Sequence, residues 1–296
     1  MAQFGPVLTA MVTPFTPEDK LDLGAAQTLA THLVANGNSG LVLAGTTGES
    51  PTLTYAEQID LVSAVAEAVP EASVVAGAGS NDTKAAVELT MKATAAGADA
   101  ILSVTPYYNR PPQAGLYNHF VAIAESTDLP VMLYDIPVRS GRKLETDTIL
   151  ELAQIKNITA LKDAAGSPAE TARVIAEAPE GFEVYSGDDS LTLPLLAVGA
   201  VGVVGVATHW FGNEMLSMID AFKSGDVAKA LELNQLMTPS YDFESSDDAP
   251  NPLPTKALMS LMGFQVGDCR PPLSPAPEGL AARAQTVLNE LERSRN

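Results

Sequence analysis

The chain has 296 residues, with 17 Lys and Arg against 36 Asp and Glu, for a formal charge of −19. With 46% hydrophobic residues it carries material for a large core, which excludes disorder, while its acidity sets it against phosphate backbones and anionic membrane surfaces. The imbalance comes from scarce bases, 9 Lys and 8 Arg, since Asp and Glu make up about 12% of the chain, close to ordinary usage.

Eight short apolar runs recur between turn residues, at 7–12, 40–44, 73–76, 100–104, 131–134, 158–161, 182–185 and 202–206. Near-continuous Val, Ile and Leu without polar alternation is the pattern of strands buried on both faces, and predicts a parallel sheet. Segments of helical period separate the runs. The stretch 23–36 puts Leu29, Leu33 and Val34 on one face, and 54–69 opens on a Thr54-x-x-Glu57 capping box. Helices are also predicted over 82–96, 113–126, 146–154, 168–177 and 190–198. Gly37, Gly97 and Gly199 suit the left-handed residue that ends a helix before the next strand. Eight strands alternating with helices over about 210 residues predict a (β/α)8 barrel rather than a doubly wound sheet. No GxGxxG or Walker loop argues otherwise. Beyond Gly212 the strand signal stops. Helices are predicted at 213–223, 227–237, 256–262 and 279–293, the first closing the barrel and the others forming an appended bundle, with 245–254 as a loop. The expected division is a catalytic barrel over 1–224 and a helical bundle over 225–296.

Cys269 stands alone, so no internal disulfide framework is available, and His32, His119 and His209 show no metal-ligand spacing. The first residues, MAQFGPVLTAMVTPF, lack the basic region and long apolar stretch of a signal peptide, and no run of 18 apolar residues occurs. A cytoplasmic protein is expected.

Barrel chemistry sits at the C-terminal ends of the strands. Lys162 follows the apolar run 158–161 there. It either marks the end of the strand in solvent or, desolvated in the barrel mouth, supplies a neutral amine that attacks a ketone. Tyr107, Tyr108 and Tyr134 fall at strand ends as well. They either pack a rim or include a phenol that shuttles protons with the hydroxyls of Thr46 and Thr47. Gly45 and Gly48 flank those threonines and allow close backbone approach, so that turn also suits a carboxylate. Arg139, Arg142 and Lys143 place three of the 17 bases within five residues. They are either a solvated loop or include a guanidinium fork for a substrate carboxylate. His32 and His119 fall within predicted helices, His209 has no catalytic partner pattern, and Cys269 reads as an incidental thiol.

Five segments carry a resemblance in order: Gly45-Thr46-Thr47-Gly48-Glu49, Thr105-Pro106-Tyr107-Tyr108-Asn109, Tyr134-Asp135-Ile136-Pro137-x-Arg139-x-Gly141, Leu161-Lys162-Asp163 and Ser186-Gly187-Asp188-Asp189. Over nearly its whole length the chain resembles the dihydrodipicolinate synthase family of class I, Schiff-base pyruvate lyases and aldolases. The resemblance implies that Lys162 condenses with pyruvate and that the resulting enamine attacks aspartate 4-semialdehyde. It implies that Tyr134, Thr46 and Tyr108 relay protons, with Tyr108 reaching the site of a neighbouring subunit across a tight dimer. Thr47 and the backbone at Val204 match pyruvate-binding positions, and Arg139 matches the residue that meets the semialdehyde carboxylate. A homotetramer built as a dimer of dimers is implied, with no metal or organic cofactor. Related aldolases cleave N-acetylneuraminate or keto-deoxy-gluconate, and the Tyr107-Tyr108 pair with Arg139 favours the synthase. Lysine-inhibited members carry a histidine and a glutamate where this chain has Gln58 and Ala85, while Ser50, Asn81 and Tyr107 remain. Weak or absent inhibition by lysine is therefore expected. Asp135, where many relatives have Asn, has no role on this reading.

Overall fold

Strands buried on both faces must be covered by helices outside and by one another inside, and a closed ring meets both demands. The computed structural model describes residues 2–244 and 246–294. Eight parallel strands close in sequence order: β1 (Val7–Ala10), β2 (Gly40–Leu43), β3 (Ser73–Gly77), β4 (Ala100–Val104), β5 (Val131–Asp135), β6 (Ile158–Asp163), β7 (Glu183–Ser186) and β8 (Gly202–Gly205), with β8 pairing back onto β1. The helices between them are α1 (Leu23–Ala35), α2 (Tyr55–Ala68), α3 (Thr83–Ala95), α4 (Gln113–Glu125), α5 (Pro137–Ser140), α6 (Thr146–Leu152), α7 (Pro168–Glu177) and α8 (Thr192–Ala197). Then come α9 (Thr208–Lys223), α10 (Val227–Phe243), α11 (Leu253–Leu261) and α12 (Leu280–Ser294). The expected (β/α)8 barrel with a helical extension is the observed fold.

Alternation along each strand sorts the side chains into two cores. Leu8, Val42, Val75, Leu102, Met132, Ala160, Tyr185 and Val204 fill the barrel, while Leu41, Leu43, Val74, Ile101, Leu133, Leu161 and Val203 face the helices. Phe4 joins the inner cluster and its N–H donates to Tyr185 Oη at 3.3 Å.

Local signals hold where they are self-contained. The Thr54–Glu57 capping box forms at the start of α2, and Gly37, Gly97 and Gly199 have φ of +89°, +96° and +109°. Elsewhere tertiary packing moves the boundaries. The helix expected from 213 begins at Thr208 and runs through a kink at Phe211, whose φ of −115° is non-helical. The helix expected to end at 237 continues to Phe243 through Pro239, held by packing against α9; Trp210 Nε1 donates to Ser240 Oγ at 2.9 Å. The predicted loop 245–254 yields to α11 at Leu253, and its Ser245 lies outside the described residues. The short α5 was not expected. No helix among the described residues is long and apolar enough to cross a membrane.

Candidate active site

The expected sixth strand ended at 161, leaving Lys162 beyond it. The observed β6 runs through Asp163, and the reason matters for chemistry: period two then turns Lys162 inward with Ala160, while Leu161 and Asp163 face out. On β5 the same rule turns Tyr134 inward with Met132, and the register pairs Tyr134 directly with Lys162. Lys162 Nζ lies 4.4 Å from the centroid of the Tyr134 ring. Both residues are buried, Lys162 at 5% exposure, so the solvent-exposed strand-end reading does not hold.

Burial is also what tunes them. It lowers the Lys162 ammonium to about 8, against the opposing pull of Asp189 and with help from the positive charge of Arg139. The same burial lifts the Tyr134 phenol to about 12, although a hydrogen bond with Thr46 and the charge of Arg139 act the other way. A lysine poised near pH 8 supplies free amine, and a phenol held protonated beside it supplies a proton donor.

Thr46 and Thr47 lie in the turn after β2, and a cavity of about 30 Å³ opens there between Gly45, Thr46, Ser50, Gly79, Leu102 and Tyr134. This turn is fixed from outside. Thr13 Oγ1 donates to the Gly48 carbonyl at 2.7 Å, and Asn251 Nδ2 donates to Thr47 Oγ1 at 2.8 Å. Glu49 adopts a left-handed φ of +57°, uncommon for a residue with a side chain. It is held there by Lys256 Nζ at 2.7 Å and by the Arg270 N–H, which donates to Oε2 at 2.8 Å. Lys256 Nζ and the Arg270 guanidinium each lie 4.2 Å from the Phe15 ring centroid. Arg270 also donates to Glu57 at 2.7 Å and to the Thr52 carbonyl at 2.8 Å, and its bonds hold the Glu57 carboxyl down at about 2. Burial raises the Cys269 thiol to about 12, followed by the charge of Glu49, to which it is also hydrogen-bonded.

Asn251, Lys256, Cys269 and Arg270 reach the turn from the C-terminal extension, some 200 residues away in sequence. Spacing along the chain carries no trace of that contact. The one hint is Lys256 within the apolar stretch LPTKALMSL.

The basic cluster divides. Lys143 pairs with Glu170, and Arg142 lies 4.0 Å from Glu145, so both turn to local carboxylates. Arg139, exposed on α5, is the member whose charge reaches Tyr134 and Lys162. Asp135 points out of the barrel behind this segment and accepts from the Leu144 N–H at 3.0 Å, closing the loop that carries Arg139. Its burial, reinforced by the neighbouring Asp163, raises the carboxyl to about 7. Val204 faces the barrel interior from β8. Tyr108 stands apart: it is 89% exposed, has a φ of +71°, and its N–H donates to the Ser140 carbonyl at 3.3 Å. Thus Lys162 and Tyr134 meet inside the barrel, Thr46 and Tyr134 line one cavity, and the Arg139 charge reaches both Lys162 and Tyr134, whereas Tyr108 lies exposed.

Comparison with known proteins agrees with this geometry. Residues 3–291 match the family model described as the dihydrodipicolinate synthetase family. The 4-hydroxy-tetrahydrodipicolinate synthase of Thermosynechococcus vestitus is 47% identical over 293 residues, covering 98% of each chain. Among solved structures, a dihydrodipicolinate synthase from Bacillus anthracis superimposes with a TM-score of 0.94 at 46% identity, covering 98% of this chain and 99% of the other. A lysine-bound synthase from Cyanidioschyzon merolae gives 0.95 at 41% identity, covering 99% of each. The chain belongs to the dihydrodipicolinate synthetase family, a group of lyase and aldolase-type synthases.

Proposed function

We propose that the protein condenses pyruvate with L-aspartate 4-semialdehyde, with Lys162 as the nucleophile. The observation that carries this reading is the buried Lys162 amine, 4.4 Å from the ring centroid of Tyr134 at the barrel mouth. Its neutral nitrogen adds to C2 of pyruvate, and loss of water leaves a cationic iminium. Loss of a proton from C3 gives the enamine, whose carbon attacks the semialdehyde aldehyde. The new oxygen takes up a proton, and the substrate amine closes on C2, breaking the bond to Lys162 and giving 4-hydroxy-tetrahydrodipicolinate.

The hydroxyl relay is Tyr134, Thr46 and Tyr108. The Tyr134–Thr46 hydrogen bond supports its first link. The exposure of Tyr108 fits the expectation that it serves a neighbouring subunit, and a tight dimer within a tetramer supplies that neighbour. Thr47 and the Val204 backbone hold the pyruvate carboxylate, and Arg139 meets that of the semialdehyde. On this reading 1–224 carries the reacting groups, while 225–296 braces the Thr46–Thr47 turn through Asn251, Lys256 and Arg270. Cytoplasmic residence follows from the biosynthetic role.

Borohydride reduction in the presence of pyruvate should leave a stable adduct on Lys162 that is absent from Lys162→Ala. A coupled assay then separates substrates. Turnover of aspartate semialdehyde supports the reading, and turnover of N-acetylneuraminate or keto-deoxy-gluconate instead identifies a sugar-acid aldolase.

A further inference from the structure

Two carboxyls outside the proposed relay meet inside the protein. Asp189 follows β7 and is 2% exposed; its Oδ2 accepts from the Val206 N–H at 2.7 Å. Glu244 caps the C-terminal end of α10. Asp189 Oδ1 and Glu244 Oε2 are both buried and have no N–H or O–H donor elsewhere among the described residues. The two side chains are instead in hydrogen-bond contact with each other, and that contact needs a proton between them. Little else is possible there. The place of a Cβ at Gly205 is taken by Asp189 Oδ1 itself, so the site tolerates only glycine on that side.

The pair adjoins the reacting lysine. The turn before Asp189 packs on the Lys162 stem, where a Cβ at Gly187 would lie 3.0 Å from Lys162 Cγ. Asp189 is the negative charge that acts on Lys162. We infer that Glu244 and Asp189 hold one proton between them, with Glu244 as the donor, so that Asp189 presents a single fixed negative charge to the Lys162 iminium. This rests on Lys162 being the pyruvate nucleophile.

The direction of the proton follows from the surroundings. Burial comes first in raising both groups, Asp189 to about 6 and Glu244 well above the usual carboxylate range. Asp189 Oδ2 accepts from the Val206 N–H at 2.7 Å, a bond that favours its charged form, and the contact between the carboxyls lowers Asp189 and raises Glu244, so the proton sits on Glu244. The other groups facing the pair are Asp188 in the same turn, Tyr241 on α10, and Lys162 on β6, with Arg139 acting on Lys162 from α5. Asp188 and Tyr241 add no positive charge, so Glu244 is the group that spares Asp189 from neutralisation. The Val206 N–H assists it, whereas the Ala207 N–H acts on both carboxyls alike. Both residues act through position and charge rather than by touching substrate.

The test combines the pH profile of kcat/KM for pyruvate with borohydride trapping, in the full-length protein. Asp189→Asn removes the charge. The limb that reports Lys162 deprotonation should move to lower pH by about one unit, and trapped adduct at about pH 9, where the amine is neutral in both forms, should fall about tenfold. Glu244→Ala removes the donor, so Asp189 gains a proton more easily and the limb moves in the same direction. Glu244→Gln, whose amide N–H still donates, should return the limb toward its original position. If Asp189→Asn does not fold, the Ala and Gln variants at Glu244 carry the same decision. A limb that stays in place in Glu244→Ala, or that Gln fails to bring back, overturns the inference even where thermal stability drops. No adduct on Lys162 in the unaltered protein overturns this inference together with the proposed function, whereas an adduct with an unmoved limb overturns this inference alone.

Discussion

Replacing Lys256 by Met should separate the C-terminal extension from the substrate-facing turn without opening a large hole. Methionine keeps the apolar stem against Phe15 and deletes the ammonium. The lost contact is the 2.7 Å pair with Glu49, between side chains that are 3% and 0% exposed. Exposed ion pairs contribute less than about 1 kcal/mol, but stranding one partner of a buried pair costs roughly 3–5 kcal/mol. The Lys256 bond to the Asp268 carbonyl, at 3.0 Å, goes with it. Glu49 would keep the Arg270 N–H and the Cys269 thiol as donors, which favours the lower end, about 3 kcal/mol. At about 2 °C per kcal/mol for a chain of this size, the thermal midpoint should fall by at least 6 °C. Because Glu49 holds a left-handed φ of +57° directly after Thr46-Thr47-Gly48, the surviving folded enzyme should bind pyruvate about tenfold less tightly, or ~1.4 kcal/mol. Scanning calorimetry and pyruvate saturation kinetics check both parts. The double variant Glu49→Gln with Lys256→Met, neutral on both sides, should recover at least half of the lost stability. A loss under about 1 kcal/mol for Lys256→Met, or a strictly additive double variant, would refute the claim that a desolvated pair fixes the turn.

Arg139→Ala should raise KM for the semialdehyde about tenfold while changing kcat much less, as expected for a carboxylate contact made in ground and transition states alike. A change confined to kcat contradicts that role. Asp135 is raised to about 7 from 3.8, so the folded state holds its proton more tightly than the unfolded chain and stability declines as pH rises between those values. Asp135→Asn keeps an acceptor for the Leu144 N–H and should therefore raise the thermal midpoint at pH 8 more than at pH 4; the reverse order would count against a buried carboxylate there. His209 is held neutral: burial draws it down to about 4, its Nδ1–H donates to the Val206 carbonyl at 2.8 Å, and its Nε2 accepts from the Val12 N–H at 3.2 Å. The unfolded chain thus takes its proton first, and roughly 3 kcal/mol of stability should disappear as pH falls from 6.5 to 4, a loss His209→Gln should reduce in urea titrations. Purified enzyme should show no inhibition by micromolar lysine, since Gln58 is buried with its Nε2 donating to the Ser50 carbonyl and Ala85 offers no carboxylate.

What the sequence disclosed follows the range of the forces involved. Capping at Thr54, helix ends at Gly37, Gly97 and Gly199, and the apolar runs of the strands are decided within a few residues, and each was legible. The inward face of β6 was legible in principle, because period two fixes Lys162 once the strand is known to reach Asp163. The strand's length was not, since a lysine and an aspartate look like its end until Tyr134 and Asp135 are seen pairing with them. Pro239 misled for the same reason: a missing N–H is a local signal to stop, and packing on α9 outweighs it. The bracing of Thr47 by Asn251, and of Glu49 by Lys256 and Arg270, joins segments roughly 200 residues apart, so no window along the chain contains it. The motifs marked the strand ends where Lys162 and Tyr134 meet. What holds them there was invisible.

The −19 charge acquires a more definite meaning from these contacts. Both substrates carry carboxylates, so the average field of the protein opposes their capture and local cations must do the work. Seven of the bases, Lys92, Arg142, Lys143, Arg173, Lys229, Lys256 and Arg270, are committed to ion pairs with carboxylates. Lys162 and Arg139 make no such pair among the described residues, and they act on each other: the Arg139 charge helps keep the Lys162 amine neutral, while Asp189 pulls the other way. An additional base at the mouth would attract more anion, yet it would also depress Lys162 further and destabilise the cationic iminium. Removing Asp189 would do the same from the opposite side. Scarcity of bases at this site is therefore a condition of the chemistry, because burial, trimmed by one guanidinium and one buried carboxylate acting in opposite directions, sets the lysine between nucleophile and cation.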